Sequence, residues 1–174
     1  MCGIIGITRR DTLQERDRSF LAAGTRLMAH RGPDGEDLWH DAYAGLGHRR
    51  LAVIDLPTGS QPMLDATGRY VISFNGEIYN YRELRLHLER EGCIFRTNSD
   101  TEVILNAYAR WNTACLARLD GIFAFGIWDS REQVLFLARD HMGVKPLLYS
   151  ANDSICMFAS ELKPLMLHPS VRNE

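Results

Sequence analysis

The chain has 174 residues, 45% of them apolar and 24% charged, with a net charge of -2. That length supports one domain with a core of its own. The near-neutral balance gives no electrostatic reason to expect nucleic acid or an anionic membrane surface as a partner, and no apolar stretch approaches the ~20 residues of a membrane span. The first residues hold only a brief apolar run before Arg9-Arg10-Asp11, unlike a secretory leader. The cysteines Cys2, Cys93, Cys115 and Cys156 are irregularly spaced, and the histidines form no i, i+4 pair around a Glu. Neither a disulfide framework nor a zinc site is expected. A reduced, cytoplasmic protein that binds no metal is the reading.

The apolar run at residues 4–8 reads as a buried strand. Residues 19–28 read as a helix with Phe20, Gly24, Leu27 and Met28 on its inner side, followed by a turn at residues 30–35 built on Arg31-Gly32-Pro33-Asp34-Gly35. Strands are expected near 37–40, 45–49 and 51–55, with a loop at 57–60, and another strand at 70–75. Asn80 is placed to cap a helix over 81–91, with Glu83 completing a capping box and Gly92 as the stop. Val103, Ile104, Ala107, Tyr108 and Trp111 share one face of a helix over 101–111. A short helix follows at 114–119.

Residues 122–129 and 133–139 read as two strands of one hairpin. Both are apolar on both pleat faces, so the sheet they form needs cover on each side. A hairpin makes that sheet antiparallel, and the combination suggests layered sheets with helices outside. Strands near 147–150 and 156–159 and a short helix from 161 complete the pattern. The sequence after His168 carries no stop signal and reads as cut rather than finished.

Cys2 follows the initiator Met1. Its bland reading is a terminal residue at the start of a strand. Its chemical reading is a nucleophile: removal of Met1 would leave a thiol and a free α-amine on one residue, and the amine can act as base for the thiol. Asn75-Gly76 reads either as a hairpin turn or as two donors of an oxyanion hole, a side-chain amide and a backbone N–H with no Cβ in the way. Asp100 is either a helix cap or a carboxylate for a substrate ammonium. The run His48-Arg49-Arg50-Leu51 offers either solvated arginines or a guanidinium that clamps a carboxylate through two parallel hydrogen bonds. Together, a thiol, two oxyanion donors, a guanidinium and carboxylates suit an amino acid whose side-chain amide is to be cleaved.

These residues lie within a longer series of motifs: Cys2-Gly3-Ile4, His30-Arg31-Gly32-Pro33-Asp34, Gly47-His48-Arg49-Arg50-Leu51, Gln61-Pro62, Phe74-Asn75-Gly76-Glu77-Ile78-Tyr79-Asn80, Ser99-Asp100-Thr101-Glu102, Asp120-Gly121, Phe123-Ala124-Phe125, Arg139-Asp140, Gly143, Lys145-Pro146-Leu147 and Ala159-Ser160-Glu161. Through essentially the whole chain they resemble the glutaminase domain of asparagine synthetases, class II glutamine amidotransferases of the N-terminal-nucleophile hydrolase superfamily. The resemblance implies an α+β fold, a four-layer αββα sandwich of two antiparallel sheets flanked by helices. It implies that Cys2 is the nucleophile, that Asn75 and Gly76 form the oxyanion hole, and that Arg50 pairs with the glutamine α-carboxylate. Asp100 and Glu77 would surround the α-ammonium, and backbone near Leu51 and Val53 would line the pocket. No cofactor is implied for this domain. ATP and Mg belong to a following synthetase domain, whose pyrophosphate loop is absent from these residues. L-glutamine and that C-terminal synthetase domain are the expected partners, and a homodimer is compatible with the resemblance. Residues 1–174 are thus expected to be one amidotransferase domain, 2–174 after loss of Met1, truncated at its C-terminal end. An acceptor other than aspartate, or a non-catalytic docking role, are the competing readings. The blocks around Arg139, Lys145 and Glu161 suggest no chemistry by themselves and read as scaffold or as an interface to a following domain.

Overall fold

In the computed structural model, residues 1–52 and 59–171 are described. Their strands form two antiparallel sheets. The first runs in the order β2 (Gly35–His40), β3 (Ala44–Arg50), β1 (Gly3–Arg9), β9 (Ile155–Ala159), β8 (Leu148–Ala151). The second runs β4 (Met63–Leu64), β5 (Tyr70–Ile78), β6 (Gly121–Asp129), β7 (Val134–Arg139). Helix α1 (Glu15–Leu27) and the short α4 (Leu162–Leu165) cover the outside of the first sheet. Helices α2 (Tyr81–Arg90) and α3 (Asp100–Trp111), with a 3-10 turn at Asn112–Arg118, cover the second.

Three apolar clusters alternate with these layers. Ile5, Ile7, Phe20, Leu21, Met28, Met157 and Leu165 lie between α1, α4 and the first sheet. Ile4, Leu46, Val71, Ala124, Trp128 and Phe158 lie between the two sheets. Ile72, Phe74, Val103, Ile104, Phe123, Phe125 and Ile127 lie between the second sheet and its helices. The period of two is why one strand can serve two cores: in β1, Ile5 and Ile7 face α1 while Ile4 faces the other sheet. The architecture is the expected αββα sandwich, and the doubly apolar hairpin is β6–β7, with Phe125 opposite Ala138 and Ile127 opposite Phe136.

Several local expectations are corrected. Helix α1 begins at Glu15, earlier than residue 19, because Gln14 and Asp17 form a reciprocal capping box. Leu27 is 47% exposed, since Leu21, Gly24, Thr25 and Met28 already supply the inner face. Asn80 occupies the N-cap position of α2 as expected, but its side chain makes no capping hydrogen bond. Its amide donates to the Arg118 carbonyl and accepts from the Asp120 N–H, tying the helix start to the approach of β6. Strand β5 continues through Ile78, well past residue 75, and the two-residue β4 had no signature in the sequence. Residues 51 and 52 carry no regular structure, and the rest of the strand expected over 51–55 lies outside the described residues.

Candidate active site

The two sheets part at one end of the sandwich, around the start of β1, the end of β3 and the far half of β5. A cavity of about 170 Å³ opens there, lined by Met1, Cys2, Arg50, Leu51, Gly59, Gln61, Phe74, Asn75, Gly76, Glu77, Ser99, Asp100, Thr101 and Lys145. Every site residue expected from the sequence is in this lining except Val53, which lies outside the described residues.

Cys2 sits one residue before β1. The Leu51 N–H donates to its sulfur at 3.4 Å, and the sulfur lies 3.6 Å from the Leu51 carbonyl oxygen. Arg31 holds the backbone here: its Nε donates to the Cys2 carbonyl at 3.0 Å and its Nη1 to Glu161 at 3.1 Å. Next door, Ile4 and Ser160 exchange hydrogen bonds of 3.0 and 2.9 Å. The Ala159-Ser160-Glu161 block, for which scaffold is one of the two expected roles, therefore fixes the strand that carries the thiol. Gly3 is needed for a neighbour rather than a ligand, since a Cβ there would come within 2.9 Å of the Met28 side chain. Burial pushes the Cys2 thiol up from its ordinary value. The Leu51 hydrogen bond and the charges of the N-terminus, Arg50 and Lys145 oppose this only in part. At neutral pH the group is a thiol, and its proton must be taken before it can attack.

Asn75 and Gly76 are not a turn. They lie inside β5, opposite Ala124 and Phe123 of β6. The Asn75 side chain shares a face with Val71 and Ser73, toward the first sheet, and it is 2% exposed. Its Nδ2 is buried with no hydrogen-bond partner among the described residues. An amide N–H in that state normally carries a penalty of ~1–3 kcal/mol, and it borders a cavity that also holds a thiol.

The backbone of β5 explains Gly76. Residues 70, 72, 74, 76 and 78 turn their N–H and C=O groups away from β6. Tyr70 donates to Asp65 Oδ1 at 2.9 Å, and Ile72 is covered by β4. Phe74 donates to Gln61 Oε1 at 2.7 Å, and Ile78 donates to Asp100 Oδ2 at 3.1 Å. Strand alternation leaves the Gly76 N–H between these two, on the edge that faces the cavity. A Cβ at Gly76 would come 2.3 Å from the Ile122 carbonyl oxygen and 2.7 Å from the Phe123 Cα. Only glycine lets β6 approach so closely while this edge stays open.

Asp100 is the first residue of α3, and Ser99 is the cap, accepting from the Glu102 N–H at 3.2 Å. The Asp100 carboxylate is therefore not the cap, although it lies against the first turn of α3. Burial pushes it up to about 6, against the N–H groups of Ile78, Thr101 and its own backbone, and the Glu77 charge adds to the rise. Glu77 is solvent-exposed at the rim. Arg50 ends β3 on the same pleat face as His48, pointing between the sheets.

Lys145 is the lining residue whose place the sequence did not suggest. Asp140, 5% exposed, accepts from the N–H groups of Phe123, Val144 and Lys145 at 3.2, 2.9 and 3.0 Å. Arg139 donates to the carbonyls of Lys145 and Gly143. The Arg139-Asp140 block thus folds a loop whose product is one lysine at the mouth of the cavity. Gln61 was visible only as part of a motif; no local signal marks it as a partner of β5. Among the described residues, no cluster of side chains suited to a metal ion occurs.

Comparison with known proteins follows the same line. A family model described as a glutamine amidotransferase domain matches residues 1–174. The chain is similar to the glutamine-hydrolyzing asparagine synthetase 3 of Bacillus subtilis, with 39% identity over 174 residues, 99% of this chain and 28% of that protein. It is similar to the glutamine-hydrolyzing asparagine synthetase B of Escherichia coli, with 36% identity over 169 residues, 95% of this chain and 30% of that protein. The chain thus spans less than a third of the length of these relatives. Among solved structures it superposes on glutamine phosphoribosylpyrophosphate amidotransferase of B. subtilis, with a TM-score of 0.75 and 21% identity over 95% of this chain and 43% of that one. An allosteric regulatory enzyme of purine biosynthesis gives a TM-score of 0.78 and 23% identity over the same shares. At those identities the likeness shows the fold.

Proposed function

Because this chain belongs to the glutamine amidotransferase domain family, we propose that its cavity hydrolyses the side-chain amide of L-glutamine, with Cys2 as nucleophile. The observation that carries the reading is the buried, unpartnered Asn75 amide beside the open Gly76 edge and the Cys2 thiol. A buried donor of this kind is matched by an oxygen that becomes negative during reaction.

On this reading Met1 is removed, so that the α-amine belongs to Cys2. The amine takes the thiol proton, directly or through one water. The thiolate attacks the amide carbon, and the carbonyl oxygen becomes an oxyanion held by Asn75 Nδ2 and the Gly76 N–H. Collapse of this intermediate breaks the C–N bond, and the ammonium formed at Cys2 returns its proton to the departing nitrogen as ammonia leaves. A γ-glutamyl thioester remains. Water attacks it, losing a proton to the same amine, and glutamate departs with the thiol restored. Arg50 clamps the α-carboxylate, Asp100 and Glu77 receive the α-ammonium, and the Leu51 backbone positions the sulfur. The names of the similar asparagine synthetases support a further step. The ammonia would pass to an ATP- and Mg-using synthetase domain, a partner outside these residues, that amidates aspartate.

The test is release of glutamate and ammonia from glutamine by the wild-type protein and by Cys2→Ala. Equal release from both would remove Cys2 from the mechanism.

A further inference from the structure

Among the described residues, strand β5 has a neighbour for only part of its outer edge. β4 pairs with Ile72 and Val71 and then ends, so the N–H and C=O of Phe74 would face an unpaired edge immediately before the oxyanion donors. Two side chains from elsewhere meet the Phe74 backbone there. Gln61, just before β4, accepts from the Phe74 N–H at 2.7 Å, and its own amide donates to Thr101 Oγ1 at 3.3 Å. His48, in β3 of the other sheet, lies with Nε2 3.1 Å from the Phe74 carbonyl oxygen. A carbonyl only accepts, so Nε2 carries the proton and the ring is held in one tautomer. Both side chains are buried, and His48 is 1% exposed.

We propose that Gln61 and His48 are positioning residues of the oxyanion hole, holding the open edge of β5 so that Asn75 and the Gly76 N–H point at the reacting carbonyl. The inference rests on the reading of that edge as the oxyanion hole. Its physical basis is pairing on both sides of the gap. Phe74 is pinned on one side by Gln61 and His48, and Ile78 is pinned on the other by Asp100. An unpinned edge could twist or bulge at the residue between them. Donor placement matters most where charge develops, so displacement of these donors acts on the transition state more than on bound glutamine.

The experiment compares Gln61→Met and His48→Phe, which remove the hydrogen bonds to Phe74, with His48→Gln, whose amide nitrogen matches the reach of Nε2. The readouts are kcat and KM for glutamine, near-ultraviolet circular dichroism as a check of folding, and affinity for a γ-aldehyde analogue that forms a thiohemiacetal on Cys2. Removal of either hydrogen bond is expected to lower kcat ~10–100-fold with KM changed less than ~3-fold. Aldehyde affinity should fall by a similar factor, and His48→Gln should regain most of kcat. Unchanged kcat and aldehyde affinity in folded Gln61→Met or His48→Phe would overturn the proposal. So would a matched change of kcat and KM that His48→Gln does not reverse. If Gln61→Met fails to fold, the two His48 variants decide. A wild-type protein that neither hydrolyses glutamine nor binds the aldehyde would sink the reading of the site itself, and the inference with it.

Discussion

Asp100 accepts the Ile78 N–H at 3.1 Å and thereby places a carboxylate two residues beyond Gly76 on the same strand edge. Burial holds that carboxyl near 6, so it is charged above this pH and neutral below it. An α-ammonium is attracted only by the charged form. Glutamine KM is therefore expected to rise as pH falls through about 6, approaching ~tenfold per unit on the acid side. Asp100→Asn should bind glutamine poorly at all pH values and lose this limb. The pH profile of kcat/KM for the two proteins checks it; an unchanged limb in Asp100→Asn would assign the titration elsewhere.

Asn75 is predicted to act on turnover. Asn75→Ala removes the unpartnered Nδ2 and should reduce kcat ~100–1,000-fold while KM moves little. Steady-state kinetics decide: a large rise in KM at constant kcat would make Asn75 a ground-state binding group.

His48 links the site to stability. Burial pushes its imidazole down to about 4, with the Phe74 hydrogen bond opposing and the Arg50 charge assisting. An unfolded His titrates near ~6.5, so between those values the unfolded chain binds the extra proton. Stability is then full above pH ~6.5 and falls as pH drops toward 4, by on the order of 3 kcal/mol. Urea unfolding of wild type and His48→Gln at several pH values in this window tests it. The variant should have a flatter profile; parallel profiles would contradict the assignment.

Asp140 is expected to matter twice. Asp140→Ala strips three backbone N–H groups of their acceptor, which should lower stability by ~3 kcal/mol or more. It should also release the loop that presents Lys145, and so slow alkylation of Cys2. Asp140→Asn, which keeps one acceptor oxygen, should lie between. Thermal unfolding and alkylation rates measured on the same samples test both effects; a stable Asp140→Ala with wild-type alkylation would refute them.

Much of the fold was legible because it rests on local periodicity. The doubly apolar β6–β7 hairpin and the apolar face of α3 required layers on both sides, and those layers are present. Cys2 was legible as a candidate nucleophile from its place behind Met1, and the structure puts it in the lining of the cavity. Asn75-Gly76 misled as a local signal, because the same dipeptide that favours a turn also fits a strand whose neighbour comes within van der Waals range. Only the nine-residue pairing of β5 with β6 distinguishes the two. Asn80 marked the start of α2 correctly, but not its partners: its amide binds the backbone of Arg118 and Asp120, 38 and 40 residues away, rather than its own helix. The roles of Gln61, Arg31, Glu161 and Lys145 depend on contacts between distant segments. Glu161 reaches Arg31 across 130 residues, and no window of sequence contains such a relation.

The most direct test of the central claim is the intact mass of the protein before and after an electrophilic glutamine analogue, with Cys2→Ala in parallel. The account predicts a chain lacking Met1 that gains a single adduct, with no adduct on Cys2→Ala. A chain that keeps Met1, or one that starts at Cys2 and gains no adduct, would contradict it.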